Sequence, residues 1–128
     1  HEKSPLGAAA ALAMIDFTLQ ENLLEKTMDD DVFVRASLLR MKSELPLIGD
    51  IRGRGLLWAI ELVKDPLSRG RAAEEAEAVM YHCLEHGLSF KVSQGNVLQL
   101  CPPLTVSRNE LLEAFRIIRQ AITSLTIR

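Results

Sequence analysis

The chain reads as an α+β domain, a small antiparallel or mixed sheet of three to four strands covered by helices, in the order α-α-β-β-α-β-β-α. Three observations predict it. Apolar residues recur at helical spacing in Val34, Leu38, Met41 and Leu45, and again in Leu111, Leu112, Phe115, Ile118, Ile122 and Leu125. Between those runs lie short β-type stretches at 56–63, 88–92 and 97–101, bounded by Gly, Asn and Pro. Helix-start signals, Ser4-Pro5 and Ser107 with Glu110 three residues on, open the first and last helices.

Taken in order, the first helix is expected from Ser4-Pro5 to about residue 21. Its opening Gly7-Ala8-Ala9-Ala10-Ala11 has no bulk, so another element can approach closely. Met14, Ile15, Phe17 and Leu19 put apolar bulk on more than one side, which predicts a helix buried on several faces or wedged against a partner domain. A second helix is expected over 23–45, interrupted at Asp29-Asp30-Asp31, a solvated bend, and ended by Pro46. Ile48 to Val63 reads as a short strand, a kink or bulge permitted by Gly53-Arg54-Gly55, and a long central strand at 56–63, apolar nearly throughout except at Glu61. The Gly-Arg-Gly run lacks the third glycine of a dinucleotide fingerprint and precedes a strand, so its role reads as structural. After a polar loop at 64–71, a helix over 72–85 stops at Gly87. A hairpin then turns at Gln94-Gly95-Asn96. The second strand of that hairpin ends in Cys101-Pro102-Pro103-Leu104-Thr105 and carries one polar residue, Gln99, between apolar neighbours.

Composition bounds the function. The 128 residues suffice for one domain with one core, 48% hydrophobic and 25% charged. A net charge of -2 and the single Trp58 and Tyr81 leave neither a basic footprint nor a stacking platform for nucleic acid. No apolar run approaches the roughly 20 residues of a membrane span. The chain opens on His1-Glu2-Lys3 rather than on a signal peptide, and a first residue other than methionine is expected of a processed product or, given the helix-rich start, of a fragment. Cys83 and Cys101 stand in apolar segments and are expected to be core thiols in a reduced, cytoplasmic setting.

Self-contained catalytic chemistry is not visible. Three histidines without a patterned Ser or Cys partner do not make a triad. Glu74-Glu75 fits a solvated helix face. His82 and His86 share a helix face four residues apart, but Cys83 stands where a zincin motif has its glutamate, so no metal site is expected. The aspartates of 29–31 have no further carboxylates converging on them.

Three segments together resemble one family. They are His1-Glu2-Lys3-Ser4-Pro5-Leu6-Gly7-Ala8-Ala9-Ala10-Ala11-Leu12-Ala13; Ile48-Gly49-Asp50-Ile51-Arg52-Gly53-Arg54-Gly55-Leu56-Leu57 with Glu61; and Pro102-Pro103-Leu104-Thr105. In this order and spacing the chain resembles the C-terminal part of class III aminotransferases, pyridoxal-phosphate enzymes of fold type I. The family also holds 2,2-dialkylglycine decarboxylase and ammonia-lyases acting on amino phosphonates or phosphates.

The resemblance implies an interface or linking helix at 1–24 and a C-terminal small domain at 25–128, within a homodimeric enzyme that uses pyridoxal 5'-phosphate. It implies amino-group transfer between an amine or amino acid and a 2-oxo acid, with a lyase, decarboxylase or epimerase as the nearest alternative and a non-catalytic stand-alone module as the remote one. It places the cofactor lysine and most of the phosphate cup before His1, with a threonine directly preceding it. Lys3 is no substitute, so the chain alone is expected neither to hold the cofactor productively nor to turn over substrate. No catalytic, cofactor-binding or metal residue is therefore assigned within the chain. One substrate-side position is: many members have an arginine three residues before the Pro-Pro pair that binds the substrate carboxylate, and Gln99 stands there instead. A neutral amide implies an amine, or an amino acid whose carboxylate is held elsewhere. Asp31 and Ala59 also depart from the family pattern and read as packing changes.

Overall fold

A computed structural model describes residues 3–126; His1 and Glu2, which open the first family-like segment, lie outside the described residues. The elements are α1 (Pro5–Gln20), α2 (Leu23–Glu44), β1 (Ile48–Arg54), β2 (Leu57–Leu62), α3 (Ala73–Glu85), β3 (Lys91–Ser93), β4 (Val97–Leu100) and α4 (Arg108–Thr126), in the expected order. The strands form one antiparallel sheet in the order β1-β2-β4-β3.

Alternation decides which side of the sheet is covered. In β2, Trp58, Ile60 and Leu62 are buried while Leu57, Ala59 and Glu61 are not. The covered face carries Ile51, Trp58, Ile60, Leu62, Leu98 and Leu100. They pack against Val34, Leu38 and Met41 of α2, Ala76, Val79 and Cys83 of α3, and Leu111, Phe115, Ile118 and Ile122 of α4. Helices cover one face; no helix covers the other.

The second helix departs from expectation. Asp29-Asp30-Asp31 does not interrupt it, and α2 is continuous. Asp30 is buried and bonded to Lys26 Nζ at 2.6 Å and to Arg108 at 3.0 Å, while Asp31 Oδ1 accepts from the backbone N–H of Gly55 at 2.6 Å. Two of the three acids therefore turn inward to specific donors, and only Asp29 behaves as a solvated charge.

The Gly-Arg-Gly run is likewise no kink inside an extended stretch. β1 continues to Arg54, which pairs with Leu57 across a two-residue hairpin loop, Gly55-Leu56. Gly55 has φ +60, a positive value at the first loop position that glycine meets without strain and that a II′ hairpin loop demands. The irregularity sits earlier, between Ile48 and Asp50. The loop is held three ways: by Asp31 on the Gly55 N–H, by Trp58 Nε1 donating to the Gly55 carbonyl at 2.7 Å, and by Arg35 reaching the Gly53 carbonyl at 3.4 Å while lying over the Trp58 ring.

Of the two arrangements expected for helix α1, burial on several faces by this chain's own core does not occur. None of its residues is buried, and its contacts among the described residues are with α2 alone. Leu12, Met14, Ile15, Phe17 and Leu19 are all exposed. With apolar residues spread round the helix, no single stripe exists for this chain's core to cover. In α4 the buried stripe is rotated from the one expected: Leu112 is exposed, and Ile117 and Ala121 are buried beside Leu111, Phe115, Ile118 and Ile122.

The caps are where the residue pattern put them. Ser4 Oγ accepts from the Gly7 N–H. At α4 the Ser107 N–H donates to Glu110 Oε2 at 2.7 Å while Ser107 Oγ accepts from the Glu110 N–H at 3.2 Å. The Ser107 N–H holds the Glu110 carboxyl below the usual carboxylate range. A carboxylate depressed in the folded state contributes fully above its unfolded pKa and loses that contribution as pH falls through the folded value. Urea unfolding of wild type and Glu110→Gln should therefore show a gap in wild type's favour at neutral pH that closes on acidification. A gap independent of pH would contradict the cap's ionic character.

Candidate functional site

The uncovered sheet face is the place where this chain presents chemistry. Ile51 and Gly53 pair with the core residues Ile60 and Trp58, so the alternate residues Asp50, Arg52 and Arg54 of β1 lie on it. The antiparallel register adds Leu57, Ala59 and Glu61 of β2, Val97 and Gln99 of β4, and Lys91 and Ser93 of β3. One rung crosses the whole sheet: Arg52 opposite Ala59, Ala59 opposite Gln99, Gln99 opposite Lys91. Ala59 has almost no side chain, so the centre of the rung is a shallow floor. A cavity of about 470 Å³ stands over it, lined among others by Arg52, Arg54, Gln94, Ser93 and Gln99.

The two arginines differ. Arg52 donates to Glu61 Oε2 at 2.6 Å and to Asp50 Oδ2 at 3.1 Å. The bond to Glu61, opposed by burial and joined by that to Asp50, holds Arg52 above its ordinary pKa. Arg54 is exposed and has no hydrogen-bond or ion-pair partner among the described residues. Gln99 is half-buried, and its side-chain amide has no hydrogen-bond partner among the described residues. It also borders a second cavity of about 560 Å³ on the covered side, between Leu100, Pro102-Pro103 and the start of α4, whose walls include the core residues Trp58, Leu111 and Phe115.

The other sequence candidates do not meet here. Cys101 is exposed at the end of β4, contrary to the expectation of a core thiol, because the strand's alternation carries Val97, Gln99 and Cys101 to one side. Cys83 is buried, and burial pushes its thiol up to about 11. His82 and His86 stack ring on ring, centroids 4.2 Å apart, and His86 Nδ1 lies 2.7 Å from the His82 carbonyl. Among the described residues no group of three or more His, Cys, Asp or Glu side chains is placed to hold a metal ion, and no helix is long and apolar enough to cross a membrane. Arg54 is the residue that sequence reasoning passed over. It stands in a glycine run that reads as structure, although strand alternation puts it on the face opposite to Ile51, with Arg52.

The fold and this face define a known class. The family model of class-III aminotransferases matches residues 3–122, and the chain belongs to that family. It is 61% identical over 125 residues to the (R)-1-hydroxy-2-aminoethylphosphonate ammonia-lyase of Vibrio splendidus (strain 12B01), covering 98% of this chain and 26% of that protein. It is 35% identical to the isoleucine 2-epimerase of Lentilactobacillus buchneri, over 95% of this chain and 27% of that protein. Among solved structures, an aminotransferase of Bacillus anthracis superposes with a TM-score of 0.88 at 30% identity, over 94% of this chain and 28% of the other. The chain thus spans about a quarter of the length of the curated relatives it matches.

The family implies pyridoxal phosphate. The residues of this chain do not fit it. Lys26 is engaged by Asp30 and the Val106 carbonyl, Lys42 by Asp50, and Lys3, Lys64 and Lys91 are exposed. None stands in a dry pocket as a lysine bound covalently to a carbonyl cofactor must.

Proposed function

We propose that this chain is the substrate-side domain of a pyridoxal-phosphate-dependent class-III enzyme that eliminates ammonia from an amine bearing a phosphonate. The observation that carries the reading is the 61% identity with an ammonia-lyase acting on an aminoethylphosphonate. Gln99 supports it. The arginine that would neutralise a substrate carboxylate is replaced by an amide on the uncovered sheet face, where a ligand has access. A neutral donor contributes hydrogen bonds but no charge, so an α-carboxylate has less to hold it here. The carbon–nitrogen cleavage belongs to the cofactor. The part of this chain is to bind and orient the substrate and to keep water from the sheet floor.

A second reading, transamination between an amine and a 2-oxo acid, is favoured by the likeness to the Bacillus anthracis aminotransferase. The two readings separate in one assay on the whole enzyme. With the hydroxy-aminoethylphosphonate as sole substrate, ammonia should appear in step with amine loss and without any 2-oxo acid. A requirement for a 2-oxo acid, with its amino acid as product, would replace the lyase reading with transamination. In the same assay Gln99→Arg should move the ratio of kcat/KM toward carboxylate-bearing amines by roughly tenfold, the worth of one charge-assisted hydrogen bond. An unchanged ratio would mean that Gln99 does not read the substrate. Support for homodimerisation is limited to the exposed apolar residues of α1, the kind of surface that a second copy or a further domain covers.

A further inference from the structure

We propose that Arg54 is the residue that receives the tetrahedral anionic group of the substrate, with Gln99 as its neutral partner across the sheet. The inference rests on the phosphonate reading above and adds to it the group that recognises the anion.

Charge on the cavity walls comes first. Among the residues lining the 470 Å³ space, the only charged side chains are Arg52 and Arg54, and no acid joins them. Arg52 is answered from outside the cavity by Glu61 and Asp50. That leaves one unneutralised positive charge, on Arg54, so the space selects an anion. A guanidinium offers paired N–H donors to two oxygens of a phosphonate, and such bidentate contacts are the strong kind.

Preorganisation comes second. The backbone on both sides of Arg54 is fastened: the Gly53 carbonyl by Arg35, the Gly55 N–H by Asp31, and the Gly55 carbonyl by Trp58. The side chain between these anchors has no hydrogen-bond or ion-pair partner among the described residues. The fixed backbone sets where the guanidinium starts from, so ordering on a ligand is confined to the side chain. Space comes third. Ala59 leaves the floor between β1 and β4 open, so one ligand can touch Arg54 from one side and the Gln99 amide from the other.

Methylphosphonate tests the site without any catalytic step. In NMR titrations of this chain at constant ionic strength, it should give saturable shifts at the Arg54 Nε–H and the Gln99 side-chain amide, and acetate weaker ones. Arg54→Gln should lower the affinity tenfold or more, and Arg54→Lys by less, since it keeps the charge and loses the fork. Unchanged Trp58 emission confirms that the variants are folded. Affinity of Arg54→Gln within twofold of wild type, absence of saturation, or shifts centred on other arginines would overturn the proposal. In the whole enzyme, release of ammonia from the phosphonate by Arg54→Gln at the wild-type kcat/KM would overturn it too, while leaving the lyase reading intact. Methylphosphonate binding at Arg54 in a protein that releases no ammonia would uphold the anion site and remove the lyase reading.

Discussion

Gly53→Ala is expected to destabilise the chain by about 3 kcal/mol, the upper end of the usual range for overpacking, because the added carbon meets the facing strand. A Cβ built at Gly53 lies 2.4 Å from the Leu57 carbonyl oxygen, 2.7 Å from Trp58 Cα and 2.5 Å from Trp58 Cδ2. Two of those atoms are backbone of the facing strand, paired with Gly53 in the ladder, and cannot rotate away. Relief requires the β1–β2 hairpin to open, and that strains the Arg35 and Trp58 contacts that hold it. Gly7→Ala is the control. There the added carbon meets only Ser4 at 3.6 Å, and alanine is the better helix former, so stability should hold or rise slightly. Urea unfolding at a common m-value reads both. A Gly53→Ala cost below about 1 kcal/mol would mean that the hairpin yields more easily than its geometry implies.

Asp30→Ala is expected to cost about 2 kcal/mol. Removing one partner of a buried ion pair typically costs 3–5 kcal/mol because the other charge is stranded. Here the cations are only partly covered, with side-chain exposures of 33% for Lys26 and 43% for Arg108, so water recovers part of the loss. What does not recover is connectivity. Lys26 joins Asp30 to the Val106 carbonyl at 2.7 Å, and Arg108 lies 4.1 Å over the Phe33 ring, so the carboxylate ties α2 to the entry of α4. Asp29→Ala, on an exposed neighbour, should stay within about 0.5 kcal/mol of wild type. Equal costs at the two positions would refute the assignment of Asp30 as an interior tie.

Much of the architecture is legible in local chemistry. Ser4-Pro5 and Ser107 with Glu110 mark helix starts because their side chains satisfy nearby backbone donors. The spacing of Val34, Leu38, Met41 and Leu45 marks a buried stripe because all four meet the same sheet. The failures share a cause in distant partners. Asp30 turns inward because Arg108 waits far along the chain, and nothing near Asp30 announces that. Gly55-Leu56 was a readable II′ loop, yet Ile51 before it and Leu57 after it made the segment look like one interrupted run. Arg54 shares the face of the Arg52, Ala59 and Gln99 rung but pairs with Leu57, two residues further along, so only the register relates it to Gln99. Gln99 stands out from the family pattern, while the arginines that share its face are visible only from the sheet register.

The buried indole at Trp58 carries a practical consequence. It is the chain's only tryptophan, it donates to the hairpin turn, it lies under Arg35, and it borders both cavities. The intrinsic tryptophan emission of the polypeptide therefore has a single origin, at the wall between the hydrophobic interior and the uncovered sheet face. One optical signal registers loss of the core, and because the same ring forms part of the cavity wall beside Arg54 and Gln99, it also senses what settles there.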